Sequence, residues 1–135
     1  MRARRISVYD RSAEDCGIAA EALRELYDRV GVKAAVKEFT DSEAFTLDFR
    51  DNHYDMAFVG IGAMIDFEAA RAVLGLDEKC PLFLISRTDE YALEGIRIQA
   101  LDYIIKPVTV ERLREAVSRA GHVAGHVVKG HCQSR

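Results

Sequence analysis

Apolar positions follow two alternating rhythms along this chain. Short apolar runs, "RISVYD" (5–10), "KAAVKEF" (33–39), "DMAFVG" (55–60), "PLFLIS" (81–86) and "DYIIK" (102–106), have the length of strands. Between them the apolar residues step by three or four, the spacing of a helix face. Ile18, Ala19, Leu23, Leu26, Tyr27 and Val30 form the first such stripe. Ser12 is placed to cap it, Asp15 stands three residues on where a helix N-terminus favours an acid, and Gly31 closes it. "TDSEAFTLDFRD" (40–51) opens with capping residues and reads as a short helix. Phe67, Ala70, Val73 and Leu74 mark a third helix ending near Gly75. Thr88 or Asp89 caps a fourth, running to about Gln99. Pro107 and Thr109 introduce a fifth with Leu113, Ala116, Val117 and Ala120 inward.

Strict alternation of strand and helix predicts a parallel sheet with right-handed crossovers and helices on both faces. "PLFLIS" is continuously apolar, as a strand buried on both faces must be, whereas "KAAVKEF" is more polar and belongs near a sheet edge. The expected fold class is α/β, a flavodoxin-like three-layer α/β/α arrangement with a five-stranded parallel sheet in the order 2-1-3-4-5. Residues 1–121 form the domain, and 122–135 a tail or the start of a linker.

Composition narrows the function. With 135 residues the chain is one domain, and 49% hydrophobic and 30% charged residues are those of an ordinary globular protein. A net charge of −3, with a basic run only at Arg2, Arg4 and Arg5, argues against direct nucleic-acid binding. No run approaches the ~18 apolar residues of a membrane helix, and acidic residues follow the N-terminal arginines where a secretion signal would be apolar. Cys16, Cys80 and Cys132 are odd in number and lack C-x-x-C spacing, so reduced thiols in a cytoplasmic protein are expected, with Cys80 packed before a strand.

In such sheets ligands bind at the carboxyl ends of the strands. Here those ends carry Asp10, Gly60, Ser86 and Lys106. A carboxylate, a hydroxyl and an ammonium converging there suit a phosphoryl group and its metal. "YDMAFVGIGAM", "LFLISRTDEYALEGIRIQALDYIIKPV" and "VERLREAV" together resemble the receiver domain of two-component response regulators. "DEYALEGIRIQALDYIIKP" is similar to receivers that precede LytTR-type DNA-binding domains. The resemblance implies an aspartate ending the third strand that accepts a phosphoryl group from a histidine kinase, and two acids after the first strand that bind Mg²⁺. It also implies a switch hydroxyl, a lysine and an aromatic that changes rotamer. Asp10 matches one acid, Ser86 the hydroxyl, Tyr103 the aromatic and Lys106 the lysine, and Lys106-Pro107 matches a cis-proline step.

The departures cluster at that pocket. Gly60 stands at the phosphoacceptor position, Arg11 at the second acid, and Arg87 where a small residue is usual. The loop after Gly60 is also shorter than in the family. Asp55 is five residues from Gly60, about 16 Å along a strand, and cannot substitute. Asp66 is nearer; it reads as a helix N-terminal acid, with a displaced phosphoacceptor as the alternative. Asp10 alone is a weak Mg²⁺ site beside Arg11, so no metal or other cofactor is expected. Three outcomes stay open for the cations Arg11, Arg87 and Lys106. Both arginines point into solvent, or Arg11 or Lys106 pairs with Asp10 and locks the pocket, or the three capture a small anion.

The expectation is therefore a non-enzymatic, phosphorylation-independent receiver-like module of a transcription regulator. It would work through protein contacts: a homodimer through the 88–120 region, with a histidine kinase or an output domain as further partners. Arg97, Asp102 and Arg112 are candidates for pairs between subunits, the alternative being solvated charges, and His53 reads as a solvated loop residue. His122, His126, His131 and Cys132 could ligate Zn²⁺, but their spacing matches no dependable motif and a tail is the favoured reading. A flavin reading fails because "DRSAED", the loop after the first strand, has no glycine and three acids.

Overall fold

The computed structural model describes residues 3–120. Residues 121–135, which hold the expected tail or linker with its three histidines and Cys132, lie outside the described residues. Five strands, β1 (Arg4–Tyr9), β2 (Ala34–Phe39), β3 (Met56–Gly60), β4 (Leu82–Ser86) and β5 (Asp102–Ile105), alternate with five helices. These are α1 (Ala13–Arg29), α2 (Ser42–Asp51), α3 (Phe67–Leu76), α4 (Ala92–Arg97) and α5 (Val110–Ser118). A 3₁₀ turn, Met64–Asp66, leads into α3. All strand pairs are parallel and the order is β2-β1-β3-β4-β5. The direction of strand order reverses at β1, which opens a crevice between the carboxyl ends of β1 and β3.

The helix ends follow from their residues. Ser12 Oγ accepts the Asp15 amide, Asp41 Oδ2 that of Ala44, and Thr109 Oγ1 that of Arg112, each filling a donor that a helix start leaves unpaired. Gly31, at φ +73°, turns the chain out of α1 in the left-handed conformation that glycine adopts without strain. Each buried strand feeds two cores. Ile6, Val8 and Phe58 face Leu23, Leu26 and Leu113 from α1 and α5. Tyr9, Val59 and Leu84 face Phe45, Phe67 and Val73 from α2 and α3. The polar strand β2 is an edge.

Two expectations need correction. The fourth helix is shorter than 88–99, because Thr88 is used in a turn. Its Oγ1 accepts from the Glu90 amide, and its carbonyl accepts from Tyr103 Oη at 2.6 Å. At the other end Gln99 takes φ +62°, with Ala100 N donating to Gly95 O, which closes α4. Ile18 does not join the core and is 45% exposed on α1.

Candidate functional site

Asp10 follows β1 directly and is buried. Its Oδ1 accepts from the Ser12 amide at 2.9 Å and its Oδ2 from Lys106 Nζ at 3.0 Å. Gly60 ends β3 beside it. A Cβ at Gly60 would lie 2.2 Å from Asp10 Oδ2 and 2.5 Å from its Cγ. The Asp10 carboxylate thus fills the space that a side chain at position 60 would need.

Lys106 follows β5, and the Lys106–Pro107 peptide bond is cis. Besides Asp10, its ammonium reaches Asp15 Oδ2 at 2.8 Å. Arg87 Nη2 donates to the same oxygen, also at 2.8 Å. The Lys106 hydrogen bond holds the Asp15 carboxyl below its ordinary pKa against the opposing effect of burial. Asp15 therefore does more than complement the α1 dipole; it is a site residue. Sequence reading missed it, although three cations beside one acid were a signal that further counter-charges must lie close.

Arg11 does not pair with Asp10. It turns the other way and forms a two-pronged bond with Asp66, Nε to Oδ1 at 2.9 Å and Nη2 to Oδ2 at 3.0 Å. The fork geometry of guanidinium and carboxylate favours this pairing. Asp66 Oδ2 also accepts the amides of Gly62 and Ala63, at 2.8 and 3.0 Å. Asp66 is 4% exposed, so it closes the β3–α3 loop on itself instead of standing as a free acid at a helix start. The hydrogen bond to Asp66 raises the Arg11 pKa further.

A cleft of about 170 Å³ lies among Asp10, Arg11, Ser12, Asp15, Gly62, Asp66, Arg87 and Lys106. Each of its three carboxylates carries at least one cationic partner. A hard dication wants about six oxygens with their lone pairs free, so this donor set does not suit Mg²⁺. Among the described residues no cluster of three or more His, Cys, Asp or Glu is arranged to hold a metal ion. Behind the cleft, Ser86 Oγ is fully buried and donates to Ile61 O at 2.7 Å. Tyr103 Oη is tied to the β4–α4 turn through Thr88 O.

Other candidates lie apart. Asp55 sits at the opposite end of the sheet, accepting from the Arg5 amide, with His53 3.5 Å away. Arg97 pairs with Glu94, and Arg112 and Arg119 both hold Asp102, all within the chain. Cys16 and Cys80 are buried free thiols, and burial pushes Cys80 up to about 12.

Solved structures share this architecture. The chemotaxis protein CheY4 of Vibrio cholerae matches with a TM-score of 0.72 at 16% identity, over 88% of this chain and 99% of that one. The REC domain of AraT, a response regulator from Geobacillus stearothermophilus, matches with a TM-score of 0.70 at 25% identity, over 88% and 93%. In sequence, the sensory transduction protein LytR of Staphylococcus haemolyticus is 22% identical over 111 residues, 81% of this chain and 43% of that protein. The chain has the fold of these receiver domains and is similar in sequence to LytR regulators. The transcriptional regulatory protein LytR of Staphylococcus aureus is 23% identical over 108 residues, 78% of this chain and 44% of that protein. The chain thus spans less than half the length of the curated relatives it matches. No protein-family model matches it.

Proposed function

We propose that the chain is a receiver domain that signals without accepting a phosphoryl group, as the regulatory part of a LytTR-type transcription regulator in the cytoplasm. It is a protein-interaction module, not an enzyme, and its pocket takes no Mg²⁺. The observation that carries this reading is the Asp10 carboxylate, which occupies the space of the missing side chain at Gly60 and is held there by Lys106. Pairing of every pocket acid with a cation supports it further, as does the saturation of Asp66. A buried carboxylate with four donors on it is a poor nucleophile for an incoming phosphoryl donor. A small-anion sensor draws no support, because Arg11, Arg87 and Lys106 are each satisfied by an acid of the chain itself.

The partner surface in this reading is the α4–β5 face. Leu93 and Ile96 on the short helix α4 and Ile105 on the edge strand β5 are exposed. The charges around them are consumed within the chain, which favours an apolar contact with a second copy over one built from ion pairs. A histidine kinase or an output domain is a further partner in the same reading. Among the described residues no helix is long and apolar enough to cross a membrane.

The test is intact mass together with an amide NMR spectrum, before and after Mg²⁺ and acetyl phosphate. An unchanged mass and unshifted amides are expected. A phosphoryl adduct would refute the proposal, and its loss in Asp66→Asn would assign the adduct to Asp66.

A further inference from the structure

Two cations from neighbouring strand ends converge on one oxygen. Lys106, after β5, and Arg87, after β4, both donate to Asp15 Oδ2, each at 2.8 Å. Asp15 comes from α1, across the crevice, and its side chain is 11% exposed. Lys106 is 14% exposed, whereas Arg87 is largely open to solvent and covers the oxygen from outside. An ammonium and a guanidinium aimed at one oxygen are the donors that receive an oxyanion. Here the oxyanion is a side chain of the protein. A cleft of about 460 Å³, lined by Asp15, Arg87 and Lys106 with Ile18, Pro107 and Val108, opens beside it, so this position is reachable from water.

We infer that Asp15 is a tethered anion: its carboxylate occupies an oxyanion site built by Lys106 and Arg87. In doing so it ties α1 to the β4–α4 and β5–α5 connections. This rests on the reading that the pocket receives no phosphoryl group, and it names the group that takes that place. The Lys106 and Arg87 donors are engaged permanently, because a side chain anchored within bonding distance competes with free ions at an effective concentration on the order of millimolar or higher. Ser86, held by the Ile61 carbonyl after β3, and Tyr103, held by the Thr88 carbonyl of the β4–α4 connection, then keep one arrangement. Asp10 and Glu14 are the other acids at this position. Asp10 shares Lys106 and Glu14 lines the cleft, and both lower the affinity for any external anion.

Removal of Asp15 exposes the site. Inorganic phosphate, added at low ionic strength to Asp15→Ala and followed by amide shifts at Arg87, Thr88 and Lys106, is expected to bind about tenfold or more tightly than to the wild type. Asp15→Asn, which keeps the volume and the helix cap, serves in the same titration if the alanine variant does not fold. Asp15→Ala/Lys106→Met is expected to lose the gained affinity. Equal phosphate affinity in the folded variant and the wild type would overturn the inference, as would a gain that survives loss of Lys106. Failure of the underlying reading has a separate signature, a phosphoryl adduct on the wild type after acetyl phosphate, which this titration does not produce.

Discussion

Substituting Gly60 with alanine tests the packing at the head of β3 most directly. Gly60 is not in a left-handed conformation, so alanine meets no backbone penalty there. At a compatible position Gly→Ala stabilises by about 0.4–1 kcal/mol, through a less mobile unfolded chain. Here the new Cβ lands 2.2 Å from Asp10 Oδ2, 2.5 Å from Cγ and 3.0 Å from Cβ. Rotation about χ1 moves the carboxylate away but leaves the Cβ contact, which is set by the β1 backbone. The rotation also breaks the bonds to Lys106 and to the Ser12 amide. A hydrogen bond to a charged group is worth about 1.5–3 kcal/mol, and overpacking costs about 1–3 kcal/mol. Lys106 keeps Asp15 as a partner, which holds the loss toward the lower end. The net expectation is a destabilisation of about 2–4 kcal/mol, with Tm lower by roughly 10 °C for a domain of this size. Urea melts at constant m would read it. In an Asp10→Ala background the same substitution is expected to be neutral or stabilising, which gives a coupling well above 1 kcal/mol. A Gly60→Ala protein as stable as the wild type would refute the reasoning.

Asp66→Asn leaves an amide nitrogen facing Arg11 or the Gly62 and Ala63 amides, and a loss of about 3 kcal/mol in urea melts is expected; a change under 1 kcal/mol would show that the loop does not depend on this carboxylate. Asp15 has a lowered folded pKa, so its contribution is complete above the unfolded value of about 3.9 and disappears as pH falls through the lowered one. Stability measured from pH 5 to pH 2 should therefore fall less steeply in Asp15→Asn than in the wild type, and parallel curves would remove Asp15 from the acid response. Ile96→Glu places a charge on the most exposed apolar residue of α4 and is expected to shift sedimentation toward the monomer by tenfold or more in Kd, about 1.4 kcal/mol. A wild type that stays monomeric at high concentration would dispose of the dimer.

The architecture was legible because each element carries a local signature. The stripe on α1, the caps at Ser12 and Thr109, and the continuous apolar run of β4 each needed only their own neighbours. Placement of Asp10, Ser86 and Lys106 at one end of the sheet followed from strand direction alone. The pairings were not legible in the same way. Arg11 had acids on offer in several directions, and the choice of Asp66 depends on a turn that also aims two amides at that carboxylate. Asp15 looked like an ordinary first-turn acid, since nothing local reveals that Lys106 and Arg87 arrive from strands far along the chain. The length of α4 was misjudged for a similar reason: the carbonyl of Thr88 is claimed by Tyr103, a tertiary contact.

The fit of Asp10 into the space at Gly60 has a consequence for how such a sequence changes over time. Placing an aspartate at position 60 adds a larger group than the alanine considered above to the same crowded spot, so the first step of that path is uphill. It becomes passable only after Asp10 has shrunk or moved, and Lys106 would by then lean on Asp15 alone. The two substitutions depend on their order, and each is unfavourable without the other. Drift one residue at a time would encounter a barrier there, and the glycine is kept in place by its neighbour as much as by any demand on the glycine itself.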